Sequence, residues 1–364
     1  MHKHGYATYS FLFRGEPNPE KIQKYGGIVR QINRYCRSIT AIVNINTHLE
    51  QLRSDPDILS VERDRKMPLP RPQVHWITNH EESIGGRATH QQMPWNIARV
   101  LGNRPRPSLG KGVRVGVLDT GIDFNHLDLA PNVKGGINLV NPHSSPRDDH
   151  GHGTHIAGTI GAIARRPSGV GIAPQVSLFA IKVLNSHAMG TLTTLVKGIE
   201  WGIQNRMDIL NISVGGGTYV SPTILRAVRA ATKRGILIVA AAGNSGTPLG
   251  KGDQVEVPGR IQETIAVAAL KRNNRRASFS ATGSAVDIAA PGVDIISTYP
   301  GNRYAVLSGT SMAAAHVTGV AALLKSAYPK ASPQAIKNLL LKRAIDLPPA
   351  GKDPYTGVGL VQVW

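Results

Sequence analysis

The sequence VRVGVLD, residues 113–119, is an almost unbroken apolar run that ends in a carboxylate. Such runs are typical of parallel strands that are buried on both faces of a sheet. Similar runs follow at residues 177–184, 209–214, 236–242 and 264–270. Helical periodicity is found at residues 155–163, 192–204, 222–234, 310–328 and 333–344. The alternation predicts an α/β fold, a mostly parallel sheet with helices on both faces.

Length and composition exclude several classes of protein. The chain has 364 residues, of which 41% are apolar and only 5% aromatic, with 39 Gly and 24 Pro. This is enough for two or three domains and argues against a coiled coil or a helical bundle. No apolar run reaches the ~20 residues of a membrane span, and the first residues lack the apolar core of a signal peptide. We therefore expect no membrane span and a cytoplasmic or non-classically exported protein.

The pattern changes twice along the chain, which predicts three segments. Residues 6–67 have the element order β-α-β-β-α-β, which predicts a small α+β ferredoxin-like domain. Within it, Thr47 and Glu50 have the spacing of a capping box at a helix start. Residues 68–92 are rich in Pro and Gly without periodicity and are predicted to be a linker. Residues 93–364 then form the larger α/β domain.

Charge and cysteine content bear on possible partners. The 42 Lys and Arg against 23 Asp and Glu give a net charge of +19. A balance of this kind favours polyanions, although charges scattered over a solvated face explain it equally. The basic run at residues 271–276 resembles an exposed turn and lacks the aromatic residues of a single-strand binder. The single cysteine, Cys36, excludes an intramolecular disulfide and is predicted to be a half-buried structural thiol.

Two groups of titratable residues follow the first strand. Asp119 ends that strand, at the sheet edge where ligands of open α/β sheets gather, but a capping carboxylate is an equal alternative. Residues 148–155, DDHGHGTH, stand before a predicted helix. This cluster is consistent with a general base, with a metal site of Asp149, His150 and His152, or with a structural histidine. No zinc-binding spacing is present, which argues against the metal site.

Two further motifs lie at predicted strand ends. Residues 308–316, SGTSMAAAH, place Ser311 at the start of a long helix, as an amino-terminal cap or as a nucleophile. Residues 240–246, AAAGNSG, have the wrong glycine spacing for a dinucleotide loop. Asn244 in this motif is able to donate its side-chain amide to an oxyanion.

Taken together, these motifs give the chain order Asp…His…Ser that subtilisin has. On this order the sequence resembles the subtilisin-like serine proteases, or subtilases, over about residues 91–362. The matching motifs are residues 117–121, 152–158, 211–216, 242–246 and 309–313. Residues 6–67 resemble the inhibitory prodomain that precedes these enzymes. The resemblance implies a subtilisin-like fold and a self-processing zymogen that is cut near residues 66–72.

The resemblance assigns roles to residues of this chain. Ser311 would be the nucleophile, His152 the general base, and Asp119 the group that orients the imidazole. Asn244 and the backbone N–H of Ser311 would form the oxyanion hole. The enzyme would cleave polypeptides as an endopeptidase, through an acyl-enzyme and without a required cofactor.

Substrate binding and the remaining histidines are assigned in the same way. An extended substrate would pair with the strand edge formed by Ser213, Val214, Gly215 and Gly216. The resemblance implies broad specificity, with an apolar pocket for the residue before the cut. The other histidines of these motifs would be structural: His150, His155 and His316.

Two other functions remain open at this point. One is a maturation protease of the same chemistry with a narrow substrate. The other is a polyanion-binding protein on an inactive protease scaffold, which the charge of +15 on residues 93–364 suggests. Because every predicted triad residue is present, we expect an active protease with its own prodomain as inhibitor and no specific nucleic acid partner.

The sequence departs from the family pattern at two sites. Ala315 stands where the family has Pro, which predicts a more regular helix and altered partition between hydrolysis and transfer to amines. A family calcium site resembles a cluster that includes Gln91, Asp128 and the loop at residues 163–169. That loop has Arg165 where the family has an oxygen ligand, and this argues against calcium.

Overall fold

Seven parallel strands form the central sheet, and five of them lie in the apolar runs that predicted strands. A computed structural model describes residues 5–45, 49–70, 73–78, 93–102, 106–163 and 171–364. The strand order in the sheet is β14-β13-β12-β11-β7-β9-β8. The strands are β7 (Arg114–Asp119), β8 (Val133–Asn138), β9 (Ser177–Lys182), β11 (Ile209–Ile212), β12 (Leu237–Ala241), β13 (Ile265–Leu270) and β14 (Ile288–Pro291). Each pairing in this sheet is parallel.

Helices cover both faces of this sheet. Successive residues of a strand point to opposite faces, so neighbouring residues pack in different cores. Val117 belongs to an apolar core with α4 and α7, whereas its neighbour Leu118 belongs to a second core with α5 and α6. The helices of the described chain beyond residue 93 are α3 (Trp95–Leu101), α4 (His152–Gly161), α5 (Leu192–Gln204), α6 (Pro222–Thr232), α7 (Thr310–Ala327) and α8 (Pro333–Lys342). This arrangement confirms the predicted α/β fold class. We call residues 93–364 the large unit.

A separate four-stranded sheet is formed by the beginning of the chain, which we call the small unit (residues 6–63). Its elements are β1 (Tyr6–Phe13), α1 (Pro19–Lys24), β2 (Ile28–Asn33), β3 (Ser38–Asn44), α2 (Leu49–Ser54) and β4 (Ile58–Arg63). The antiparallel order β2-β3-β1-β4 is that of a ferredoxin-like sheet. Its core contains Phe11, Phe13 and Ile39. Thr47 of the predicted capping box lies outside the described residues.

The structure differs from the predicted elements in several places; helix α3 and strand β14, for example, were not predicted. Helix α4 begins at His152, three residues before the predicted start. Strand β8 contains two glycines and was not predicted; a Cβ on Gly136 would lie 2.0 Å from the Ala180 carbonyl oxygen. The predicted linker also contains regular structure, because pairing partners from the large unit extend it. Strand β5 (Lys66–Pro68) pairs with β10 (Met189–Thr191), and β6 (Gln73–Thr78) pairs with β16 (Arg303–Ser308) beside β15 (Ile295–Tyr299).

Candidate active site

The predicted catalytic carboxylate and imidazole meet at the carboxyl end of β7. The Nδ1 atom of His152 lies 2.8 Å and 2.9 Å from the two carboxylate oxygens of Asp119. Both side chains are fully buried. The Asp119 carboxylate also accepts a hydrogen bond of 2.7 Å from the backbone N–H of Thr120. The pairing fixes the proton of the imidazole on Nδ1 and leaves Nε2 as the basic atom.

The turn before α4 explains why His152 reaches this position. The Asp148 carboxylate accepts hydrogen bonds from the backbone N–H groups of His150, Gly151 and Thr154 at 2.8–3.0 Å. Gly151 caps the helix with a φ of 110°, which a residue with a side chain adopts only at a cost. The sequence Asp-Asp-His-Gly-His therefore encodes a tight turn that places the first helical residue against β7.

Ser311 occupies the first turn of α7 and does not cap the helix. Gly309 is the cap residue, so the alternative of Ser311 as a structural cap is wrong. The Ser311 side chain is fully buried. Neither its Oγ atom nor Nε2 of His152 has a hydrogen-bond partner among the described residues. Helix α7 packs against α4, but the predicted hydrogen bond from Ser311 to His152 is not formed.

Asn244 is held beside the start of α7 by Thr310. Its Oδ1 atom accepts hydrogen bonds from the backbone N–H of Thr310 at 2.9 Å and from the Thr310 hydroxyl at 2.8 Å. This orientation directs the Nδ2 donor toward the cleft, where it donates to the carbonyl oxygen of Pro70 at 3.3 Å. Thr310 was not identified from the sequence, although it directly precedes the predicted nucleophile.

The chain itself fills the predicted substrate groove. We call residues 64–70 the tail segment. The backbone N–H of Gly215 donates to the Pro68 carbonyl at 2.9 Å, and the N–H of Leu69 donates to the Ala188 carbonyl at 2.9 Å. On its other edge, β5 pairs with β10. The tail segment therefore lies as an extended strand between two edges of the large unit, and its residues Pro68, Leu69 and Pro70 line an open cavity of about 1020 Å³.

The glycines of this groove leave room for the tail segment. A Cβ on Gly216 would lie 2.4 Å from the Met67 methyl carbon, and a Cβ on Gly215 would lie 3.1 Å from Pro70. Ser213 and Val214 are buried beneath this edge, where Ser213 accepts a hydrogen bond from Asn211 at 3.1 Å. Sequence analysis identified these positions but not their occupant.

Glu256 also lines the groove and was missed, because no motif marks it. Its Oε1 atom accepts a hydrogen bond of 2.9 Å from the Ser245 hydroxyl. A Cβ on Gly215 would lie 2.1 Å from its Oε2 atom. Burial raises the pKa of this carboxyl above its usual range.

The other histidines do not form a metal site. His155 lies 2.9 Å from the Ile295 carbonyl oxygen, and burial lowers its pKa to about 3. His316 bridges the Met312 carbonyl oxygen and Asn96, and burial lowers its pKa to about 4. Burial likewise lowers the pKa of His150.

Asp149 and Asp128, the carboxylates among the predicted metal ligands, make other contacts. Asp149 pairs with Lys182 at 2.6 Å, and no cluster of three potential metal ligands occurs within the described ranges. Of the predicted calcium residues, Asp128 accepts a hydrogen bond from Tyr304, and its Oδ1 atom is buried without a partner in the described chain. Gln91 and Arg165 lie outside the described residues, so the prediction about calcium remains a prediction.

Carboxylates join the small unit to the large unit, a feature that the sequence did not reveal. Glu62 accepts hydrogen bonds from Ser221 and Thr223 at the start of α6. Asp64 accepts a hydrogen bond of 2.9 Å from the N–H of Thr193, in the first turn of α5. The large unit also contributes a carboxylate: Glu200 accepts a hydrogen bond of 2.9 Å from the backbone N–H of Tyr35 in the small unit.

Cys36, which directly follows Tyr35, is fully buried, whereas the sequence analysis predicted a half-buried thiol. It packs with the apolar core of the large unit. Burial raises the pKa of its thiol to about 12, so the thiol is inert as a nucleophile. The conclusion that Cys36 is structural is therefore supported.

Comparisons of the sequence with known proteins identify the family of this chain. The model of the subtilase family matches residues 110–359. Subtilisin DY of Bacillus licheniformis is 44% identical over 275 residues, which cover 75% of this chain and 98% of the relative. M-protease of Shouchella clausii is 44% identical over 292 residues, covering 80% and 73%. Subtilisin E of Bacillus subtilis is 37% identical over 349 residues, covering 94% and 84%.

The fold and these matches define a hydrolase, a serine endopeptidase that acts on polypeptides. The chain belongs to the subtilase family. Catalysis in this family needs no cofactor. Within the described parts of the chain, no helix has the length and apolar character to cross a membrane.

Proposed function

We propose that the enzyme cleaves peptide bonds with Asp119, His152 and Ser311 as its catalytic triad. The observation that carries this proposal is the buried hydrogen bond of 2.8 Å that His152 Nδ1 donates to the Asp119 carboxylate. It leaves Nε2 free to accept the proton of Ser311 as Oγ attacks the substrate carbonyl carbon. The Asp119 carboxylate stabilises the imidazolium that results. The same imidazolium then protonates the leaving amine, and water hydrolyses the acyl-enzyme.

The oxyanion of the tetrahedral intermediate would be bound by Asn244 Nδ2 and the backbone N–H of Ser311. The Pro70 carbonyl oxygen, 3.3 Å from Nδ2, occupies the place that we assign to the substrate carbonyl. Because Thr310 holds the amide in place, the donor is preorganised before the charge develops.

We further propose that the protein is a zymogen in which the small unit is an inhibitory prodomain. The tail segment fills the groove in the extended form that a substrate strand would have. With the Pro70 carbonyl at the oxyanion donor, the bond between residues 70 and 71 is the proposed processing bond. Residues 71–92 would then remain on the mature enzyme.

Broad specificity with an apolar preference is the substrate profile that we propose. The pockets beside the tail segment accept Met67 and Pro70, and Met67 is fully buried against Gly216. A narrow maturation protease would share this chemistry, and a peptide-library profile separates the two. We expect no specific nucleic acid partner and no strong calcium site; a chelator that lowers the melting temperature by many degrees would contradict the latter.

The test compares purified wild type with Ser311→Ala. We expect the wild type to cut itself and to hydrolyse casein, with a new amino terminus at Arg71. The Ser311→Ala chain should remain at full length and inactive. Labelling of the wild type by an active-site phosphonate would exclude an inactive scaffold. An active, self-cutting Ser311→Ala chain would refute the assigned nucleophile.

Ala315 is expected to shift the fate of the acyl-enzyme. It is fully buried in α7, four residues after Ser311. Proline at this position would remove a backbone N–H and crowd the preceding turn, which would move Ser311 slightly. We expect Ala315→Pro to lower the share of transfer to an added amine relative to hydrolysis of an ester substrate. An unchanged ratio of amine transfer to hydrolysis in Ala315→Pro would contradict this expectation.

A further inference from the structure

A basic cleft lies where the small unit meets the end of α6, away from the substrate groove. Its volume is about 410 Å³. The small unit and the large unit both contribute cationic side chains to it, and Glu16 is the carboxylate among its lining residues. The cationic residues of the basic cleft are Arg34, Arg37, Arg226, Arg229, Lys233 and Arg234.

Most of these charges have no ion-pair partner among the described residues. Arg229 pairs with Glu263 at 2.6 Å. Within the described residues, none of the other five cations of the basic cleft forms an ion pair. Like charges that line one cavity repel each other. The small unit therefore binds to the large unit against an electrostatic cost at this place.

Some guanidinium groups are nevertheless held in fixed positions. The Arg234 guanidinium stacks 4.3 Å from the ring centre of Tyr35, across the boundary between the units, and donates to the Ala230 carbonyl oxygen. Arg37 donates one hydrogen bond of 3.0 Å to the Arg14 carbonyl oxygen. Each of these groups has five N–H donors, so most of its donors remain available to a ligand.

The chemistry of the basic cleft selects the class of ligand. Guanidinium groups bind phosphate oxygens in pairs of parallel hydrogen bonds, with more geometric specificity than ammonium groups have. Five cations that form no ion pair with the described residues favour a multivalent anion, because a single halide would neutralise only one of them. The volume has room for several linked phosphate groups.

We propose that the basic cleft binds an oligophosphate anion that bridges the two units and holds the small unit in place. Because both units contribute ligating residues, the complete site exists only in the assembled protein. Such an anion stabilises the assembled state by mass action. If the proposed zymogen function is correct, the anion also slows release of the small unit after the processing cut, and this consequence alone rests on that function.

The test uses the full-length Ser311→Ala chain, which stays uncut. Thermal unfolding is followed with added tripolyphosphate, with ATP, and with sodium chloride at matched ionic strength. We expect a saturable rise in melting temperature with tripolyphosphate that sodium chloride does not reproduce. An equal rise with ATP would show that the phosphates of a nucleotide are accepted; a rise with tripolyphosphate alone restricts the ligand to free oligophosphate. No saturable rise with either would refute the proposal.

A matched pair of double variants locates the site. Arg226→Gln with Lys233→Gln removes two cations of the basic cleft and should weaken tripolyphosphate binding at least about tenfold in calorimetric titration. The control, Arg272→Gln with Arg275→Gln, removes the same charge from the exposed turn at residues 271–276 and should bind as the parent does. Equal weakening in both double variants would mean that net charge alone binds the anion. Casein hydrolysis is measured separately on wild type, so the protease function and the anion site fail independently.

Discussion

Helix α6 meets the small unit in opposite ways at its two ends. At its start, Glu62 accepts hydrogen bonds from Ser221 at 2.8 Å and from the Thr223 backbone at 3.0 Å, so a carboxylate lies on the positive end of the helix dipole. At its end, Arg34 and Arg37 of the small unit approach Lys233 and its basic neighbours. One end attracts the small unit, whereas the other end repels it.

If the small unit is the inhibitory prodomain that we propose, this difference would allow it to bind firmly and still be released. Hydrogen bonds that the Glu62 carboxylate accepts at the attractive end fix the register of the small unit on α6. Repulsion between like charges at the end of α6 makes the binding between the units weaker than the attractive contacts alone would make it. Any agent that changes the charge at either end therefore changes the affinity between the units.

The largest effect is expected where the tail segment meets the proposed oxyanion hole, at the hydrogen bond from Asn244 to Pro70. Asn244→Ala removes the donor to the Pro70 carbonyl and to the proposed oxyanion, so we expect kcat to fall about 10²–10³-fold with little change in KM. Steady-state kinetics on a peptide anilide measure this. Asn273→Ala, in an exposed turn, is the control; a similar loss there, or no loss at position 244, would contradict the assignment.

The next effect concerns the attractive end of α6. Glu62→Gln, made in the Ser311→Ala chain, removes the charge that Ser221 and Thr223 bind, and should cost about 1–3 kcal/mol of interaction between the units. Faster hydrogen exchange of the β1 and β3 amides would report the loss. Glu50→Gln is the matched control, since that carboxylate is exposed and pairs with Arg53 of its own helix. If amide hydrogen exchange is equally fast in both variants, the hydrogen bonds to Glu62 do not hold the units together.

Acid should weaken the large unit itself. Burial holds the pKa of His155 at about 3 and that of His316 at about 4, below the ordinary value of 6.5. Below pH 6.5 the unfolded chain binds protons that the folded chain does not, so stability falls as the pH decreases toward about 4. The slope is up to ~1.4 kcal/mol per pH unit for each histidine. Urea unfolding of the Ser311→Ala chain at several pH values measures this slope. His316→Gln should lower the number of protons taken up on unfolding by one. If the variant keeps the slope of its parent, His316 is not a cause of the acid sensitivity.

The smallest effect has the opposite sign and belongs to the contact between the units. Burial raises the pKa of Asp64 above 3.8 and that of Glu200 above 4.5, so the assembled state binds more protons than the separated state. Attraction between the units is therefore strongest below these ordinary values and declines as the pH rises through the raised ones. The release rate of the small unit after the processing cut, measured against pH, should increase in this range. Asp64→Asn should flatten the profile, and a profile that it leaves unchanged would exclude Asp64 as the cause.

Part of the active site could be predicted because its signals are local. The apolar run that ends in Asp119 and the glycine-rich turn before His152 both describe strand ends and helix starts. Ser311 could be placed at a helix start, but the sequence could not exclude a capping role; Gly309 decided that question. Thr310, Glu256 and the carboxylates between the units were missed, because no local motif marks them and their contacts depend on the tertiary structure.

The sequence by itself determined the order of elements, the buried parallel strands and the residues that resemble a subtilase triad. Periodicity and turn chemistry depend on neighbours within a few positions, and a single chain displays them directly. Only the tertiary structure decided that the tail segment fills the groove, that Asn244 faces Pro70 and that two sets of cations share one cleft. These contacts join residues more than a hundred positions apart, where pairing depends on free edges and on charge in space.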